Sequence, residues 1–152
     1  MKSFICACFL LLVLLQVSKG QNTKFIPVSF GCGSMTAVSY RTNDNGFVSF
    51  SYKSFDSDAD ARAHLTKAIE SSNVYSDKTI LIRGVGSVRR VHLGIPELER
   101  INNEEPKAVI LYLTNNVFAS IFASDYQIAL EFEGTKHFSE DFRRPFKWTK
   151  LK

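Results

Sequence analysis

Cysteine is scarce in this chain: three among 152 residues. Two of them, Cys6 and Cys8, lie in the apolar N-terminus. A dense disulfide framework is therefore excluded. No apolar run reaches the roughly 20 residues a transmembrane helix needs. No Asn-x-Ser/Thr site follows residue 20, so N-glycosylation is not expected of the mature chain. No Gly-x-Ser-x-Gly or other nucleophile motif occurs, and Gly84-Val85-Gly86 is only a fragment of a phosphate loop, read as a turn. The three histidines, His64, His92 and His137, are far apart and none has a second ligand at metal spacing, so neither a metal nor a cofactor is expected. A formal net charge of +4 is too modest to announce a nucleic-acid binder unaided.

What is present is the composition of an ordinary globular domain: 45% apolar, 12% aromatic and 22% charged residues. Lys2, the apolar run Phe4 to Leu15 and the small residues of Ser18-Lys19-Gly20 form a secretory signal over residues 1–20, and the mature protein is expected to be secreted without a transmembrane segment. Cleavage after Gly20 leaves Cys32 alone, either as a buried thiol or as a covalent link to a partner. The remaining charge is uneven. Residues 136–152 carry six basic groups (Lys136, Arg143, Arg144, Lys147, Lys150, Lys152) against Glu140 and Asp141, while residues 21–135 are slightly acidic. The division is therefore a domain over 21–135 and a basic, aromatic tail over 136–152.

Thr36 to Thr42 and Phe47 to Tyr52 alternate polar with apolar residues around Asn43-Asp44-Asn45-Gly46, a hairpin signal. Ser57 with Asp60 approximates a capping box, and Ala61, Leu65, Ala68 and Ile69 share one helical face, which predicts a helix from about Asp58 to Ser72. Thr79 to Arg83 and Val88 to Leu93 read as strands, Glu97 to Asn103 as a helical turn, and the wholly apolar Ala108 to Leu113 as a strand buried on both faces near the sheet centre. Val117 to Phe122 reads as a further strand. Tyr126 to Glu133 alternates strictly and also reads as a strand, closed by Gly134. Together these predict one α+β domain: a mixed, mostly antiparallel sheet with one main helix.

Arg83, Arg89 and Arg90 cluster at one turn, and the tail interleaves basic residues with Phe138, Phe142, Phe146 and Trp148. These residues read first as a charged loop and an amphipathic tail packed on the core. They read second as a surface for RNA, since basic groups attract phosphates and aromatic faces stack on bases.

Taken in order, Val48-Ser49-Phe50, the helix Ala59 to Ile69, Gly94-Ile95-Pro96-Glu97-Leu98, Ala108-Val109-Ile110-Leu111-Tyr112-Leu113-Thr114-Asn115 and the segment opening at Asp125-Tyr126 resemble the N-terminal half of a ribosome-inactivating protein. The similarity runs roughly from Phe47 to Phe138. It implies the sheet of that family's N-terminal part, ribosomal RNA as partner, and an rRNA N-glycosylase that removes one adenine from large-subunit rRNA and inhibits translation as a toxin or defence protein. In that family two tyrosines hold the base, and a Glu and an Arg on one later helix perform the chemistry. Tyr126 matches the family tyrosine and is the catalytic-site residue the resemblance assigns; Tyr112 reads as core. Ser139-Glu140-Asp141-Phe142-Arg143 repeats the letters of the family's helix, but Pro145 is expected to interrupt a helix there. With the resemblance confined to that half, depurination is expected to be weak or absent. The alternative from another class is a non-enzymatic secreted binding or defence module acting on anionic surfaces or RNA.

Overall fold

A computed structural model describes residues 24–31, 36–94 and 106–148. The strands are β1 (Phe25–Gly31), β2 (Thr36–Thr42), β3 (Phe47–Ser54), β4 (Asn73–Ile82), β5 (Gly86–Gly94), β6 (Ala108–Thr114) and β7 (Val117–Ala123). The helices are α1 (Asp58–Glu70), α2 (Tyr126–Glu133) and α3 (Lys136–Trp148). The fold is α+β: a seven-stranded antiparallel sheet in the order β1-β2-β3-β7-β6-β5-β4, with three helices. The chain lays down β1 to β3 as a meander, crosses one face through α1 to the far edge, and returns as a second meander that closes against β3 through β7.

The β2–β3 turn forms where the sequence places it, with Asn45 at φ 63° and the Thr42 amide bonded to the Gly46 carbonyl at 2.9 Å. Helix α1 starts at its expected cap. The Ser57 hydroxyl accepts from the Asp60 amide at 3.1 Å, satisfying one of the first-turn donors that have no partner within the helix. Ala61 and Leu65 then bury against Val91, Leu93, Val109, Leu111, Leu113 and Phe118, forming the smaller of two cores. The larger core lies on the other face. There Phe25, Tyr40, Phe50, Ile110, Tyr112 and Ile121 pack beneath Phe132 of α2 and Phe138 and Phe142 of α3.

Two expectations are corrected here. Tyr126–Glu133 is a helix, not a strand. Asp125 caps it by accepting from the Ile128 amide at 2.8 Å, and the buried residues Ile128, Ala129 and Phe132 follow helical rather than alternating spacing. The sheet accordingly carries three helices instead of one main helix. The segment from Lys136 is α3, whose Phe138 and Phe142, one turn apart, fill the larger core, in keeping with an amphipathic tail packed on the core. Pro145 lies inside that helix rather than ending it. The hydrophobic seating of α3 on β3 outweighs the bond that proline removes. Cys32, the Ile95-Pro96 segment, the turn over Glu97 to Asn103 and the signal over 1–20 lie outside the described residues.

Candidate functional site

The antiparallel register places Arg90 opposite Tyr112, His92 opposite Ile110 and Ser76 opposite His92. Facing pairs point to the same side of a sheet, so Arg90, His92 and Tyr112 all project toward α2. Strand β5 thus carries two polar side chains in line with Val88 on its core face.

Arg90 is 1% exposed. Its Nε donates to Glu133 Oε1 at 2.6 Å and its Nη2 to Glu133 Oε2 at 3.1 Å, a side-on fork reaching the last residue of α2. The Tyr112 hydroxyl donates to the same Oε1. Arg90 Nη1 has no hydrogen-bond partner among the described residues. Burial works against the Arg90 charge, but the Glu133 carboxylate overrides it and holds the guanidinium more basic than an ordinary arginine. Burial, reinforced by the Glu133 charge, raises the Tyr112 phenol well above the usual tyrosine range. The triad is therefore a charged pair with a neutral phenol donating into it.

Over this triad sits an aromatic group. Tyr126, the first residue of α2, stacks on His92 with ring centroids 4.0 Å apart and planes 11° from parallel. Arg90 Cζ lies 5.9 Å from the Tyr126 ring centroid. Tyr75 of the edge strand meets His92 edge-on at 5.3 Å. Tyr126 remains 37% exposed, so it is not the core residue that alternation alone would make it. His92 is pushed below the usual histidine value, first by burial and then by the neighbouring Arg90 charge, with Glu133 opposing. His92 therefore stays neutral to a lower pH than an ordinary histidine.

The remaining sequence candidates divide. Of the arginine cluster, Arg90 is buried in the triad, Arg89 is forked onto Asp77 at 3.1 and 2.7 Å, and Arg83 is exposed at the hairpin tip. Glu140 pairs with Lys136 at 3.3 Å, while Arg143 donates from Nε to the Ser139 carbonyl at 2.9 Å and lies against Gly84. Both are on α3, and their partners are separate from the Tyr126 group. No cluster of His, Cys, Asp or Glu suited to a metal ion occurs among the described residues. No described helix is long and apolar enough to cross a membrane.

The sequence marks Arg90 only as one of a surface arginine cluster, and it does not mark His92, Tyr75 or Glu133 as parts of a site with it. A signal for Arg90 exists: in Val88-x-Arg90-x-His92 it occupies an inward position in line with Val88, which demands a buried counter-charge. Comparison of the chain with protein-family models, with characterised proteins and with solved structures finds no match.

Proposed function

We propose that this is a secreted ribosome-inactivating-type protein, an rRNA N-glycosylase that seats an adenine of large-subunit rRNA on Tyr126. One observation carries the reading: Tyr126 is stacked flat and half-open above a buried carboxylate–guanidinium pair that retains one unused donor. In depurination the bond between the ribose anomeric carbon and the adenine nitrogen breaks, its electron pair leaves with the base, and water adds to the sugar. Positive charge grows on the ribose and negative charge on the base. A base extruded onto the exposed part of Tyr126 would gain stacking energy there. Arg90 Nη1 and Glu133 are the cation and carboxylate of this site, both buried in the free protein, and seating the base would have to uncover them for the departing base and the ribose cation.

A second reading rests on a different observation. Both Glu133 oxygens already accept bonds, from Arg90 and from Tyr112, and its side chain is only 15% exposed. A carboxylate so occupied favours a module that binds RNA or another anionic surface without turnover.

Incubating mature protein with ribosomes and treating the extracted RNA with aniline decides between them. The glycosylase reading expects strand scission that Tyr126→Ala abolishes while the unfolding curve stays cooperative. RNA binding without scission would overturn it in favour of the binding module.

A further inference from the structure

Tyr75 is presented to solvent by two independent features of the backbone. It is the extra residue of a β-bulge, where the β4–β5 register shifts between Val74 and Ser76. A bulge turns a side chain away from the direction that regular alternation would give it, and such bulges are frequent beside active sites. The ring it redirects rests over Gly94: a Cβ at that position would come within 2.6 Å of Tyr75 Cζ and 2.8 Å of its hydroxyl. The space that Tyr75 occupies therefore exists only because residue 94 lacks a side chain. Despite this seat the residue is 70% exposed, and among the described residues it meets the ring of His92 edge-on.

Tyr75, His92 and Tyr126 thus form a short ladder of rings running from the sheet edge to the start of α2. His92 lies between the two tyrosines, so these cannot close on one base from opposite sides without displacing it. Each instead offers a separate accessible aromatic surface, and a chain of stacked bases is the ligand with flat faces repeated along a flexible backbone. We infer that Tyr75 stacks a second base, flanking the one seated on Tyr126, so that the site takes single-stranded RNA rather than a free base or mononucleotide. The inference rests on the proposed RNA-binding role of Tyr126. The competing role for Tyr75 is structural, as an aromatic ring shielding an edge-strand glycine.

The test is binding of a labelled short oligoadenylate and of adenosine monophosphate to folded mature protein, measured for wild type, Tyr75→Ala, Tyr75→Phe and Gly94→Ala, with an unfolding curve for each. Tyr75→Ala is expected to weaken oligoadenylate binding by about tenfold or more, the loss of one base stack. It should leave the mononucleotide within roughly twofold, as one seated base never reaches residue 75. Tyr75→Phe should bind as wild type. Gly94→Ala should copy Tyr75→Ala by pushing the ring off its seat. Oligoadenylate affinity unchanged by Tyr75→Ala overturns the inference, as does equal loss for both ligands or failure of the wild type to bind oligoadenylate. Tyr75-dependent binding by a protein that produces no aniline scission sinks the glycosylase reading and leaves this inference standing. Scission by a protein whose oligoadenylate affinity ignores Tyr75 does the reverse.

Discussion

Replacing Glu133 by Gln keeps the shape of the side chain but removes the counter-charge that, among the described residues, is bonded to Arg90, a residue 1% exposed to solvent. The new amide can still accept from Arg90 Nε or the Tyr112 hydroxyl, yet it turns an NH2 group toward Arg90 Nη2, donor against donor. A buried guanidinium is then left with Nη1 already unpartnered and a second nitrogen unsatisfied. Breaking a buried pair from one side costs about 3–5 kcal/mol. For a domain of this size that corresponds to a fall in Tm of roughly 10–20 °C. Urea unfolding at pH 7, followed by circular dichroism, measures it. The informative control removes the whole triad: Arg90→Met with Glu133→Leu and Tyr112→Phe, which leaves neither a buried charge nor an orphaned phenol. Such a replacement of a buried ion pair by apolar groups is close to neutral or stabilising. The triple variant should therefore be more stable than Glu133→Gln by several kcal/mol. Glu133→Gln costing under about 1 kcal/mol, the range of a solvent-screened pair, would refute the reasoning. A triple variant less stable than the single one would do so equally.

Asp125→Ala removes the cap of the eight-residue helix that carries both Tyr126 and Glu133, and should cost about 1 kcal/mol in urea unfolding. His64, wedged between Phe55 at 5.1 Å and Phe118 at 4.7 Å, is held below its ordinary value of 6.5 by burial and then by Lys53 and Lys67. The unfolded chain therefore takes up that proton first: stability is full above 6.5 and is lost as pH falls below it, and His64→Phe should flatten that part of a stability–pH curve. Gly46→Ala would bring a Cβ within 2.4 Å of Ile128 Cδ1 and 2.6 Å of Thr42 Oγ1, so it should loosen α2 from the β2–β3 turn and lower Tm by several degrees.

Where the sequence carried several agreeing signals, the fold was legible. The β2–β3 hairpin had alternation on both sides of a turn rich in Asn and Gly, and α1 had both a cap and a periodic apolar face. The segment after β7 failed because Tyr126, Ile128, Leu130 and Phe132 alternate over only eight residues, a span too short to separate a period of 2 from one of 3.6. The deciding cue was Asp125 as a helix cap, together with Gln127, Ala129, Leu130 and Glu131, all good helix formers. The same confusion hid part of the site. As a strand, Tyr126 and Glu133 fall on opposite faces; as a helix they are seven residues apart and return to the same side, above Arg90. Tyr75 was invisible for another reason. A bulge is a mismatch between two strands, and no single strand's pattern reveals it.

The topology also sets the order in which the sheet can be completed. In the described sheet the two meanders are joined where β3 meets β7, Val48 lying opposite Ala123, although α1 and three strands (β4, β5 and β6) intervene along the chain. As the chain emerges from the ribosome, β1 to β3 can pair among themselves, but β3 keeps a bare edge until the last strand has been made. Long-range strand pairing of this kind is slow compared with hairpin closure. The interval exposes the apolar strands β6 and β7 and the open side of β3 together, and during it two nascent copies could exchange their second halves. Dimers with swapped meanders are thus the misfolded product this connectivity favours, and crowded synthesis is the condition under which they would accumulate.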